Sequence, residues 1–411
     1  SKKGCNKLKN WLEAFFLLII VTYPSSPVLY QLIPYSQLGF VFIIISLFIV
    51  LIISKKEFPF EYNNKVNQLV IINLVLFSIV LMLNLFFTKT TTAIRDQITL
   101  LTITSFVLFS KKETFVNIFA KYCYLAAILI FFSTIITLSH FAGLINIDFW
   151  NVNYMNLSEK SPIMIRATEV FDYVYYFPFR LTIITQGYYD AIAGNQLNSF
   201  YRQPLLFTEP TYYWAYVMPL AIFIFLGKDL KNKWLCFTVL AFGGILSWSI
   251  YGFITLIIIV LFFLSTLFIS KKKILYVLIF TALLISIINL ESIITTFVPF
   301  KLAEYKIFAE KIVFENVSFL GVIIDDKIIA YGSLWLAFRY GVLGLFVYLI
   351  VKILFLNYVV DQFFSWKSDN NKYNLDLVVS MLFVLIYSLK IPQIAIYNEL
   401  LLLGIFKARS C

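Results

Sequence analysis

Apolar residues in this chain come in long blocks, each closed by a short polar stretch, and that pattern leaves few folds open. Residues 66–88, for example, contain no charged side chain. A helix apolar on every side has no solvated face, and about 20 such residues span the hydrocarbon of a bilayer. Inside lipid the backbone must satisfy its own hydrogen bonds, so an unclosed spanning segment is a helix. Composition agrees: 61% of the residues are hydrophobic and 13% are charged. Soluble domains carry roughly a quarter charged residues.

Reading the blocks in order gives spans at 11–33, 38–54, 67–88, 93–110, 114–139, 205–227, 233–249, 251–270, 274–294, 329–354, 375–391 and 394–407. Pro24 and Pro27 bend or break the first. The last has room only for a short or re-entrant segment. The first block follows Lys2, Lys3, Lys7 and Lys9 and has no small-residue cleavage site, so it reads as a retained span. The expected fold is all-α: a polytopic transmembrane helical bundle of about 12 spans, within a range of about 10–13. Residues 1–411 form one integral membrane domain with no internal repeat.

The net charge is +11, from 33 basic and 22 acidic residues. The lysines concentrate in short links, which is a topology signal rather than a nucleic-acid footprint. With the N-terminus inside, Lys55, Lys56, Lys65, Lys111, Lys112, Lys228, Lys231, Lys233, Lys271, Lys272, Lys273, Lys367, Lys372 and Lys407 all fall on the inner side. Both termini are then expected to be cytoplasmic. Two long segments, 140–204 and 295–328, fall outside and are expected to carry short helices. In the second, the pairs Lys306–Glu310 and Lys311–Glu315 stand beside Ile307, Phe308, Ile312 and Phe314, the pattern of an amphipathic helix on the interface.

Several chemistries are disfavoured. One histidine, and cysteines at 5, 123, 236 and 411 without a CxxC, supply no metal centre and no disulfide framework. There is no P-loop, no dinucleotide fingerprint and no DxD in an outer segment. Asp325-Asp326 could bind a cation, but a simple solvated pair is the plainer reading.

The two basic residue types are segregated. Of six arginines, only Arg409 falls inside. Arg95, Arg166, Arg180 and Arg202 fall in or beside outer segments, and Arg339 falls within a span. Retention of positive charge would accept either residue type, so topology does not explain this. The guanidinium fork matches phosphate and pyrophosphate and stays charged beside lipid. The arginines therefore point to an anionic ligand at the outer surface; ion pairs with Asp96, Glu169 or Asp172 are the plain structural reading. Arg339 is the sharpest case. Counted from Ile329, ten residues at about 1.5 Å place it roughly 15 Å deep. There it needs a partner or a wet cavity, and Gly341 and Gly344 would permit close helix packing.

Glu209 precedes Pro210 at the start of a span, where a carboxylate also suits a helix N-terminus. It is a candidate base or arginine partner. His140 ends a span at the outer face and is a further candidate base. Ser247, Ser249 and Gly252 read as a polar turn. The aromatic run at 171–179 is suited to interface anchoring or to stacking on sugar rings.

This layout resembles that of the bacterial O-antigen polymerases of the Wzy type, related in architecture to the O-antigen ligases. Lys-rich inner links, two outer segments and arginines in them are the shared features. The nearest local match is Arg202 through Glu209-Pro210, similar to the family's arginine followed by "EP" at the start of a span. Ser247-Trp-Ser-Ile-Tyr-Gly252 resembles its later small-polar turn, and Arg339-Tyr-Gly-Val-Leu-Gly344 its glycine-containing span. Two features depart. Sixteen residues beyond Arg180 and Arg202 stand Gln196 and Met218, so the regular arginine–glycine spacing of some polymerases is absent. No histidine follows His140, so the ligase histidine is absent too, which favours polymerase over ligase.

The resemblance implies an inner-membrane glycosyltransferase of lipopolysaccharide biosynthesis. It would join oligosaccharide repeats carried on undecaprenyl pyrophosphate at the periplasmic face. No cofactor, metal or nucleic acid is implied, and a chain-length regulator protein is an implied partner. Glu209 and Arg339 would be catalytic. Arg202, Arg180, Arg166, Arg95 and Tyr212 would hold pyrophosphate or glycan. A ligase or other lipid-linked glycosyltransferase, and a lipid-linked glycan flippase, are the alternatives.

Overall fold

The computed structural model describes residues 2–22, 64–88, 91–144, 173–176, 183–186, 202–205, 210–227, 230–247, 252–253, 255–260, 333–369, 375–388 and 392–409. Their helices are α1 (Lys2–Thr22), α2 (Lys65–Thr88), α3 (Thr91–Phe109), α4 (Lys112–Phe141), α5 (Pro210–Tyr216), α6 (Met218–Leu226), α7 (Lys233–Ser247), α8 (Ser333–Asp369), α9 (Leu375–Tyr387) and α10 (Pro392–Arg409). Local chemistry sets several boundaries. Asn64 Oδ1 accepts a hydrogen bond from the Val66 amide at 2.8 Å, capping α2 where the uncharged run begins. Pro219 sits in the first turn of α6, where its missing N–H costs least.

Among the described residues, three helices are long and apolar enough to cross a membrane. They are Lys65–Phe86, Lys112–Ile136 and Tyr340–Ser365, with mean hydropathies of 2.7, 1.9 and 2.2. Asp96–Phe109, Tyr213–Leu226, Lys233–Ser247 and Leu375–Tyr387 are shorter apolar helices. The long helices are apolar on their outer faces as well. Ile79, Met82, Phe86, Phe346 and Ile353 all point away from the protein. An apolar residue on both faces is what lipid permits and water penalises.

The helices alternate in direction, and polar contacts fix their ends. Lys407 Nζ donates to the Val107 and Leu108 carbonyls at 3.2 and 2.7 Å, satisfying the buried C-terminus of α3. Arg409 Nη1 donates to both Asp376 carboxylate oxygens at 2.8 and 2.9 Å, joining the end of α10 to the start of α9. Glu13 on α1 is buried within electrostatic reach of Lys9 and Lys121. Lys9, Lys65, Lys111, Lys112, Lys231, Lys233, Lys407 and Arg409 thus gather toward one end of the bundle, the segregation expected of inner links.

The helix break at Pro219 shows how the bundle repairs itself. Proline cannot donate to the carbonyl four residues before it, which is that of Ala215. The Asn398 side-chain amide of α10 donates to that oxygen instead, at 2.7 Å and fully buried. Replacing Asn398 with leucine strands the carbonyl. It is expected to lower stability by about 1–3 kcal/mol, read as a drop in thermal midpoint in detergent.

The last expected span lies within α10, a helix of 18 residues about 27 Å long at the usual rise. One expectation needs correction: the span expected at 329–354 runs on to Asp369. Within 140–204 the described residues beyond the end of α4 form strands, and the short helices expected there fall outside the described residues. β1 (Tyr173–Tyr176), β2 (Ile183–Gln186) and β3 (Arg202–Leu205) make an antiparallel sheet in the order β1-β2-β3. Tyr173 faces Gln186 and Tyr176 faces Ile183; Thr185 faces Arg202 across an irregular step. Aromatic and β-branched residues suit a strand, and Pro204 is tolerated because β3 lies at the edge. Spans at 38–54 and 274–294 and the amphipathic helix within 295–328 lie outside the described residues.

Candidate functional site

The end of the bundle opposite the lysines is where the sequence-derived candidates gather. Arg95 lies early in α3 and Arg339 early in α8. His140 is the penultimate residue of α4, and Tyr212 lies in the first turn of α5. Arg202 opens β3, which packs against α5 and α7. These are backbone placements. Glu209, Arg166 and Arg180 lie outside the described residues.

A buried hydrogen bond ties two of these helices together beside the arginines. Tyr340 Oη donates to Asp96 Oδ2 at 2.6 Å. Both residues are almost fully buried. Each directly follows an arginine, Arg95 on α3 and Arg339 on α8. The bond therefore holds the two arginine-bearing turns at one level. Just below, Gln97 Nε2 donates to Ser78 Oγ at 2.7 Å, adding α2. A Cβ on Gly344 would touch Val80 at 3.4 Å, so α2 and α8 lie close there. One turn beyond Val80 stands buried Asn84. A carboxylate and a phenol thus meet between α3 and α8, beside an amide–hydroxyl bond between α3 and α2, where a lipid-facing wall would be apolar.

Gly341 gives this site its shape. Its φ of 74° and ψ of −177° are not helical, and they divide α8 into two pieces directly after Arg339-Tyr340. That conformation is essentially restricted to glycine. Sequence reading assigned Gly341 to close helix packing; its function here is the break. Gly344 makes a close approach to α2. Broken helices within a membrane occur where protein or a wet cavity satisfies the freed backbone.

Ser247, the last residue of α7, is built into the start of the α5–α6 rod. Trp214 Nε1 donates to Ser247 Oγ at 2.7 Å, and Ser247 Oγ donates to the Gly244 carbonyl at 2.7 Å. Gly252 lies so close to the Trp214 indole that any side chain would overlap it. Ser247 and Gly252 anchor the helix that follows Glu209.

Compared with known proteins, the chain matches no family model, no curated protein and no solved structure.

Sequence reading named Asp96 only as an ion-pair partner and missed Tyr340, Gln97 and Asn84. The signal was an acidic residue directly after an arginine at the edge of an apolar block. It also missed a second buried polar group. Lys352 of α8 and Glu399 of α10 form an ion pair in the middle of the bundle, with Lys352 Nζ 4.9 Å from the Tyr348 ring centroid. Among the described residues, no cluster of His, Cys, Asp or Glu could hold a metal ion.

Proposed function

We propose that this protein is a bacterial inner-membrane glycosyltransferase that polymerises undecaprenyl-pyrophosphate-linked oligosaccharide repeats into O-antigen or a similar surface polysaccharide. The observation that carries the reading is the gathering of Arg95, Arg202 and Arg339 at the end opposite the lysines, with Asp96 and Tyr340 locking two of their helices together. By the lysine distribution, that end is the periplasmic one. A fixed set of guanidinium groups suits a pyrophosphate whose charge grows as it leaves.

In this scheme a hydroxyl of one repeat attacks the anomeric carbon of the growing chain. The new C–O bond forms as the bond from that carbon to the pyrophosphate oxygen breaks. The hydroxyl proton passes to Glu209, and the lipid pyrophosphate departs against Arg339, Arg202 and Arg180. Arg166, Arg95 and Tyr212 complete the glycan and pyrophosphate contacts. His140 is a second candidate base. A chain-length regulator is the implied protein partner.

The test is product formation by purified protein in nanodiscs, given lipid-pyrophosphate-linked repeats of the source strain. A ladder of glycans is expected, and its loss in Arg339→Ala and Glu209→Ala with both proteins still in the membrane. Normal polymer from both variants would remove the site assignment. A lipid-linked glycan flippase is the second reading, favoured by the charged pair Lys352–Glu399 in the bundle core. Transbilayer movement of the substrate without a ladder would establish it.

A further inference from the structure

The buried pair Lys352–Glu399 belongs to a larger polar layer. Helices α2 and α8 run antiparallel, and two contacts set their register. Gly344 lies against Val80, and the rings of Phe77 and Tyr348 meet edge to face at 6.5 Å. One turn further along the same faces, Asn73 of α2 comes level with Lys352 of α8. Helix α10 also packs against α2 and brings Glu399 to that layer through its bond to Lys352. Asn73 and Glu399 are 0% exposed and Lys352 is 8% exposed.

This layer is not satisfied by protein alone. Neither the Nδ2 nor the Oδ1 atom of Asn73 has a hydrogen-bond partner, and Glu399 Oε2 has none. Lys352 bonds to Glu399 through Oε1 and otherwise faces the Tyr348 and Phe355 rings, at 4.9 and 5.9 Å. Three unmatched polar atoms, one on a carboxylate, are costly in an apolar bundle core. A water molecule needs two to four polar partners, and such atoms provide them. We infer that Asn73, Lys352 and Glu399 enclose a bound water within the bundle, donated to by the Asn73 amide and donating to Glu399 Oε2. The site takes a small neutral molecule that both donates and accepts, because a cation is opposed by Lys352 and an anion by Glu399. This inference stands apart from the proposed glycan chemistry.

Radiolytic footprinting of the protein in nanodiscs tests it, since radicals form from internal water where it sits. Tyr348 and Phe355 are both buried and line the layer. They should be oxidised several-fold faster than Phe119, equally buried but surrounded by Phe115, Tyr122 and Phe223. Asn73→Leu should bring their labelling down to the Phe119 rate. Equal labelling of all three residues in the wild-type protein, or unchanged labelling in the variant, would overturn the inference. Should Asn73→Leu fail to fold, a high-resolution map of the wild type decides. A solvent peak within hydrogen-bond reach of Asn73 and Glu399 supports the site, and a direct Asn73–Glu399 bond rules it out.

Discussion

Replacing Gly341 with alanine is expected to abolish polymer formation while the protein still inserts in the membrane. At φ 74° and ψ −177° glycine alone is comfortable, and another residue would be strained by about 1–3 kcal/mol. Alanine, the best helix former, relieves that strain by closing the break and making α8 one continuous rod. The piece before the break then swings relative to α2 and α3. It carries Arg339 and Tyr340, so the bond from Tyr340 to Asp96 is lost and Arg339 leaves its level beside Arg95. The apolar stretch after the break is unaltered, so insertion is preserved. Immunoblotting of membranes and a glycan gel of the same cells read the two effects separately. A wild-type ladder from Gly341→Ala would mean that the broken helix does not shape the site.

How much of this was legible depends on what each residue's environment does to its signal. The boundaries of α2 followed from an uncharged run between Lys65 and Lys89, and those of α4 from an apolar block that begins after Lys112 and Glu113, because charge is excluded from lipid and little else competes. The concentration of Arg95, Arg202 and Arg339 at one end was legible for the same reason. Gly341 was not, since a glycine in an apolar block reads as a packing residue until its φ is known. Lys352 and Glu399 were missed through one boundary. With the span ended at 354, Lys352 reads as a lysine at the membrane edge; with α8 continuing to Asp369, it lies in the interior. Asn398 was invisible because its role depends on Pro219, 179 residues away in the chain, leaving the Ala215 carbonyl without a donor. The sheet beside the bundle was hidden by long-range pairing: Thr185 faces Arg202, 17 positions further along the chain.

Lys352→Met is expected to cost about 3–5 kcal/mol of stability, because it leaves the Glu399 carboxylate buried without its counter-charge. The double change Lys352→Met with Glu399→Leu should recover most of that loss, since a buried ion pair replaced by apolar groups of similar size is often neutral or stabilising. Lipid sharpens the contrast, because the membrane offers the stranded carboxylate no bulk water. Thermal midpoints of the single and double variants in the same detergent measure it. Equal midpoints would show that the two residues are not coupled as the bond between Lys352 Nζ and Glu399 Oε1 requires. The polymer assay on the stable double variant then separates scaffold from chemistry. A normal ladder makes the pair a strut that fixes α8 against α10 beneath the arginine site. A folded double variant that neither moves nor polymerises lipid-linked glycan would instead place charge in the bundle core at the centre of function, as a flippase requires.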